Sequence, residues 1–146
     1  MQVKFKKLDP AAVLPTYGSD RAAGADLYAL PTMQPLTIQP GQTVFVHTGL
    51  AAAIPDGYAG LVFARSGLAS KRGLAPANKV GVIDSDYRGE WMIALHNHDS
   101  LPRTVQPGER VAQLVIVPVL TPEIIETDSL DETARGAGGF GSTGSK

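Results

Sequence analysis

The sequence predicts an all-β fold, a sandwich or barrel of many short strands with one short helix. Three observations point there. Eleven prolines and sixteen glycines punctuate the chain, so no apolar run goes far without a turn residue. Between them lie short runs rich in Val, Ile, Leu, Thr and Phe, the residues that fit a pleated, half-buried surface. Only one stretch reads as a helix, and it is short. A chain of 146 residues suits a single domain, and 43% apolar content is enough to bury a core.

In chain order, strands are expected over residues 3–8, 25–30, 43–48, 50–54, 60–64, 80–84, 91–97 and 111–119. Turn signals separate them at Pro40-Gly41, Pro55-Asp56-Gly57, Asp86–Gly89 and Pro107-Gly108. Ser66–Arg72 is expected as a helix of about two turns, capped by Ser66 and ended by Gly73. The acid-rich run from Asp84 to Glu90 joins two apolar segments, and its turn chemistry predicts a hairpin. Composition changes after Leu130. Residues 1–130 are expected to form the folded β domain. Residues 131–146 form a glycine-rich tail with Phe140 as almost its sole core-forming residue.

The net charge of −1 argues against a general nucleic-acid or anionic-membrane binder. The chain has no cysteine, which excludes disulfides, zinc–thiolate sites, iron–sulfur clusters and cysteine nucleophiles. The N-terminal residues lack the apolar stretch of a signal peptide, and no apolar run is long enough to span a membrane. A soluble, cytoplasmic protein is expected. His47, His96 and His98 lack metal-ligand spacing. Trp91 reads as core or interface, and Arg21, Lys71 and Arg72 read as solvated surface charges. No Walker loop, dinucleotide fingerprint or nucleophilic serine elbow occurs, so an activated water is the natural nucleophile.

Five stretches combine glycine with polar residues in apolar surroundings. In Ala23-Gly24-Ala25-Asp26-Leu27 the aspartate enters a strand, where it serves as a turn former or a site carboxylate. In Arg65-Ser66-Gly67-Leu68-Ala69 the serine sits at a strand-to-helix junction. That is an ordinary N-terminal cap, or an anion site with Arg65 as a planar fork for phosphate. In the run from Gly81 to Glu90, Asp84 follows an apolar strand, so its carboxylate is expected to be partly buried. It either caps the turn or takes a proton from an attacking water. In Gly108-Glu109-Arg110-Val111-Ala112-Gln113 the amide of Gln113 interrupts an apolar strand and needs partners. In the tail, Arg135 and Phe140 with Gly141, Ser142 and Thr143 offer a guanidinium, a stacking ring and backbone N–H groups. Composition alone reads that tail as disordered.

These five stretches, in this order, closely resemble the motifs of the homotrimeric dUTP pyrophosphatases (dUTPases), over nearly the whole chain. The resemblance implies a distorted jelly-roll or β-barrel subunit, three subunits around a threefold axis, and active sites built from all three chains. It implies hydrolysis of dUTP to dUMP and pyrophosphate, which keeps uracil out of DNA and supplies dUMP for thymidylate synthesis. By position, Asp84 matches the general base that activates water for attack on the α-phosphorus. Gln113 matches the residue that helps hold that water and the α-phosphate. Arg65, Ser66 and Gly67 match the contacts near the α–β bridge. Asn78, Gly81, Val82, Ile83, Asp84 and Met92 match the pocket that reads uracil. Tyr87 matches the ring that packs under deoxyribose and leaves no room for a 2′-hydroxyl. Asp26 matches a carboxylate that supports the site near the metal. Arg135, Ser142 and Thr143 match flap contacts to the γ-phosphate, with Phe140 and Gly141 over uracil. Mg²⁺ is expected on the substrate phosphates and waters, with no direct protein ligand and Asp26 in the surrounding layer. Residue 64 is Ala where the family usually has Pro. Two rivals stand beside this reading. A deoxycytidine triphosphate deaminase shares the fold and would use Glu90 to activate water. A non-catalytic nucleotide-binding barrel is the other.

Overall fold

The computed structural model describes residues 1–139. Strands make up 37% of these residues and the helix 5%. The strands are β1 (Lys4–Lys7), β2 (Thr16–Tyr17), β3 (Ala25–Tyr28), β4 (Leu36–Ile38), β5 (Thr43–His47), β6 (Leu50–Ala53), β7 (Tyr58–Phe63), β8 (Leu74–Pro76), β9 (Gly81–Ile83), β10 (Met92–Asn97), β11 (Arg103–Val105) and β12 (Arg110–Pro118). The helix α1 (Ser66–Arg72) lies between β7 and β8.

Antiparallel pairing arranges these strands in four sheets among the described residues. The largest runs β2-β3-β12-β7-β9, a second runs β5-β10-β8, and β1-β6 and β4-β11 are pairs. All four contribute to one core. Leu27, Val62 and Leu114 come from the five-stranded sheet, and Val46, Leu74 and Leu95 from the three-stranded one. Ile38, Val105 and Ala52 come from the pairs. Each such Leu, Ile or Val contributes roughly 1.5–3 kcal/mol by leaving water. Strand β10 shows the alternation behind this: Ile93, Leu95 and Asn97 are buried, while Met92, Ala94 and His96 are not. Sheets wrapped around one core are the expected distorted jelly roll.

The long expected strands are present, most with ends shifted by one or two residues. Strands β2, β4, β8 and β11 were not anticipated; each has only two or three residues. One turn bond bridges each of three predicted turns: Gln42 N–H to Gln39 C=O at 3.0 Å, Tyr58 N–H to Pro55 C=O at 3.2 Å, and Glu109 N–H to Gln106 C=O at 3.1 Å. The helix has the expected bounds, and Gly73 ends it in the left-handed conformation at φ 61°.

Three local expectations are corrected. Ser66 does not cap the helix. The cap position is Arg65, whose extended backbone at ψ 131° makes Ser66 the first helical residue, and no side chain caps it. Arg72 is no free surface charge. Its half-buried guanidinium pairs with Glu109 and donates to the Thr104 carbonyl. The run from Asp84 to Glu90 does not close a hairpin. Strand β9 pairs with β7, whereas both edges of β10 are taken by β5 and β8. The two strands therefore belong to different sheets, and the space between them stays open.

Candidate active site

That opening is a cleft of about 280 Å³. Asn78, Gly81, Val82, Ile83, Tyr87 and Met92 all line it, with Trp91 and Phe45 behind. The turn before β9 places Asn78. Lys79 takes the left-handed conformation at φ 64°, and its N–H reaches the Pro76 carbonyl at 3.0 Å. A Cβ on Gly81 would stand 3.3 Å from both the Asn78 amide nitrogen and the Val62 Cβ. Glycine there gives the amide its room. Strand β9 is the edge of its sheet, so backbone donors and acceptors remain unpaired along its free side. Trp91 is 2% exposed and packs edge-on against Phe5, with ring centroids 5.2 Å apart.

A second group stands on the five-stranded sheet. Gln113 of β12 lies opposite Asp26 of β3 and Phe63 of β7, so these side chains share one face. The neighbouring row of Ala25, Leu114 and Val62 is buried in the core. Gln113 Nε2 donates to the Ala64 carbonyl at 2.9 Å. A Cβ on Gly24 would crowd its Oε1 at 3.0 Å. Both oxygens of Asp26 accept from guanidinium groups, Oδ1 from Arg65 Nε at 2.7 Å and Oδ2 from Arg110 Nη1 at 3.1 Å.

The sequence assigned Arg110 no role, and three residues from Gln113 on a regular strand it would face the other way. The register shift between Arg110 and Ala112 alters that. Arg110 sits opposite Tyr28, two residues from Asp26, so the bulge turns it onto the face of Gln113 and Asp26. The spacing of Arg110 and Gln113 carried no signal of this bulge.

The two groups do not meet within one chain. Asp26, Arg65, Ser66, Gly67 and Gln113 are absent from the cleft wall. Asp84 lies one residue beyond β9 and is exposed, contrary to the expected partial burial, because the chain there has left the sheet edge uncovered. Among the described residues its carboxylate has no hydrogen-bond or ion-pair partner. Glu90, by contrast, is committed. Its Oε1 accepts from the Gly49 N–H at 2.8 Å and its Oε2 pairs with His47 Nδ1 at 2.9 Å. The rings of His96 and His98 lie 4.4 Å apart, tilted at 59°. Burial, then Lys79 and His96, holds the His98 imidazole below its usual range.

Beyond β12 no strand or helix follows among the described residues, and Leu120, Ile124, Ile125 and Leu130 are exposed. Arg135 is exposed and donates from Nε to the Gly138 carbonyl at 2.8 Å. Phe140, Gly141, Ser142 and Thr143 lie outside the described residues. Among the described residues, no group of three or more His, Asp or Glu side chains could hold a metal ion. No helix among them is long and apolar enough to cross a membrane.

A family model described as dUTPase matches residues 11–144. The deoxyuridine 5′-triphosphate nucleotidohydrolase of Desulfitobacterium hafniense is 54% identical over 145 residues, covering 99% of this chain and 95% of the relative. That of Alcanivorax borkumensis is 46% identical over 149 residues, covering 99% of both. Among solved structures, the dUTPase of Staphylococcus bacteriophage 80alpha with dUPNHPP superposes with a TM-score of 0.88 at 29% identity, over 98% of both chains. A mutant dUTPase of phage phi11 of S. aureus, in a structure describing coordination of a structural Mg(II) ion, has a TM-score of 0.81 at 25% identity, covering 90% of this chain and 100% of that one. With the jelly-roll core in place, this match along nearly the whole chain means that the protein belongs to the dUTPase family.

Proposed function

We propose that this chain hydrolyses dUTP to dUMP and pyrophosphate, as a homotrimer whose sites each combine residues of neighbouring chains. The carrying observation is the cleft left open between β9 and β10, with a free strand edge and the Asn78 amide on its wall. Uracil presents a donor flanked by two acceptors, a pattern that a strand edge and an amide can match. Cytosine presents a different pattern, and the 5-methyl group of thymine needs width that a narrow cleft lacks. Tyr87 forms the wall under deoxyribose.

The phosphate chain is read by Arg65, with the Ser66 hydroxyl and the Gly67 backbone beside it. Arg65 is aimed by Asp26, and Asp26 by Arg110. Gln113 is held by the Ala64 carbonyl through its nitrogen, which leaves Oε1 for a water. Asp84 takes the proton from that water as its oxygen attacks the α-phosphorus, and pyrophosphate leaves. Arg135 and the residues from Phe140 to Thr143 close over the γ-phosphate and the base. Residues 1–130 are the working β domain and 131–146 its flap.

The donor set fits a Mg²⁺ carried in on the nucleotide. Both Asp26 oxygens serve guanidinium groups, and the described residues hold no carboxylate cluster. Such an ion would neutralise phosphate charge in the transition state. Asp26 therefore acts on the arginines, with its influence on the metal indirect.

Two features support the shared site. The phosphate-reading residues and the cleft stand on different parts of one chain, and the segment after β12 exposes five large apolar residues. The commitment of both Glu90 oxygens disfavours the deaminase, whose base needs a free carboxylate. Light scattering together with a panel of dUTP, dCTP and dTTP tests the reading. A trimer mass and pyrophosphate release from dUTP alone are expected. Ammonia from dCTP without pyrophosphate would establish the deaminase, and nucleotide binding without turnover the non-catalytic barrel.

A further inference from the structure

Tyr87 is 44% exposed on a loop, yet its ring has a defined seat. Its hydroxyl donates to the Glu90 carbonyl at 3.1 Å. Its ring lies directly against Gly89: a Cβ there would come within 2.3 Å of the phenolic oxygen and 2.6 Å of Cζ. Gly89 is not among the glycines with positive φ. Its backbone would accept any residue, so the position needs the missing side chain and not the conformational freedom.

Glu90 fixes the other end of this seat. Its carboxylate accepts from the Gly49 N–H and pairs with His47. The next residue is stitched to the same turn, with Trp91 N–H to the Leu50 carbonyl at 2.8 Å and Thr48 Oγ1 donating to the Trp91 carbonyl at 2.6 Å. The carbonyl that receives the Tyr87 hydroxyl is thus anchored to the β5–β6 turn.

We infer that Gly89 and Glu90 are positioning residues for sugar discrimination, seating the Tyr87 ring where it excludes a 2′-hydroxyl. The inference rests on Tyr87 being the deoxyribose wall. A methyl at residue 89 needs an ordinary contact of 3.4 Å or more where 2.3 Å is available. The ring must therefore move by more than an ångström and gives up its bond to Glu90. The displaced group is the far end of an exposed side chain, so the fold tolerates the change while the wall does not.

The test is kcat/KM for dUTP and for UTP in the wild type, Gly89→Ala, Glu90→Ala and Glu90→Gln. Both alanine variants are expected to lower the dUTP:UTP ratio by about tenfold or more, since misplacement by about 1 Å is costly. Glu90→Gln keeps an oxygen for the Gly49 N–H and is expected to hold the ratio within about threefold of the wild type. A Gly89→Ala ratio within about twofold of the wild type overturns the inference, even if both rates fall, because a purely structural lesion lowers them together. A Gly89→Ala protein that fails to fold also overturns it, since the ring was to give way cheaply. A wild type that does not turn over dUTP refutes the functional reading itself, and is seen before any variant is compared.

Discussion

Replacing Asp26 by alanine removes the group that aims two arginines at once. The Asp26 side chain is 13% exposed, that of Arg65 27% and that of Arg110 51%. The Arg65 bond is short and sheltered, and a charge-assisted bond of that kind contributes about 1.5–3 kcal/mol. The Arg110 bond is half in water and counts on the surface scale, about 0.2–1 kcal/mol. Together the substitution costs about 2–4 kcal/mol. With a urea m-value of about 2 kcal/mol/M, the unfolding midpoint falls by about 1–2 M. The comparison is made at one protein concentration, because assembly adds to apparent stability. Activity should suffer more than stability implies. Arg65 no longer has a fixed direction, and misplacing a charge-stabilising group by about 1 Å costs on the order of 100-fold. Asp26→Asn keeps an acceptor for Arg65 Nε and should lose about half as much stability, with kcat/KM down about tenfold. If Asp26→Ala unfolds within about 0.3 M of the wild type and keeps kcat/KM within about twofold, the clamp is not what positions Arg65.

Asp84→Asn should lower kcat by about 10²–10⁴. Nucleotide affinity should stay within a few-fold, followed by the fluorescence of Trp91, the only tryptophan and part of the cleft wall. Removing residues 131–146 should lower kcat/KM by about 100-fold while light scattering still gives the trimer mass. Adding a chelator should slow dUTP hydrolysis strongly, and excess Mg²⁺ should restore it. Asp99 gives a pH signature in stability. The Arg103 side chain, then the Ser100 N–H, holds its carboxyl below the usual carboxylate range. A depressed value contributes stability that is present above the ordinary pKa of about 4 and lost as pH falls through the depressed one. The gap in urea midpoint between wild type and Asp99→Asn should therefore stay level from neutrality to about pH 5 and close below about pH 4.

What could be read from the chain was whatever local spacing determines. Strands with four or more residues and a buried stripe, such as Met92–Asn97, announced themselves by alternation and flanking turns. Thr16–Tyr17 and Leu36–Ile38 are too short to alternate and exist because β3 and β11 offer them an edge. The false hairpin has the same origin. Its turn residues are local, but its pairing depends on β5 and β8 having already occupied both edges of β10. The lining of the cleft was legible by motif, since Asn78, Gly81, Tyr87 and Met92 do converge there. Arg110 was not, because its facing depends on a one-residue bulge that leaves no mark in the spacing. Nor was the exposure of Asp84. An apolar run before an aspartate says nothing of whether a neighbour covers the strand's far edge.

The arrangement separates two tasks that one substrate joins. On the proposed reading, base and sugar are read by a cleft whose free polar groups are a strand edge and an amide, with the Glu90 carboxylate on its wall already committed to Gly49 and His47. Phosphate, in the same reading, is met by a clamp of one carboxylate between two guanidinium groups on another sheet. No side chain belongs to both. Changes in the cleft wall should then alter which nucleotide is accepted, and changes in the clamp how fast any nucleotide is cut. Asp84 belongs to neither group: it is exposed and, among the described residues, unpaired. A carboxylate left in water has little fixed direction. In the proposed mechanism it becomes effective only when a second chain brings Gln113 and its water against it and a closing segment excludes solvent. On this reading, a lone chain would bind weakly and turn over hardly at all. Assembly is then part of the chemistry, and dilution below the trimer's dissociation range should abolish turnover more steeply than the loss of enzyme concentration alone.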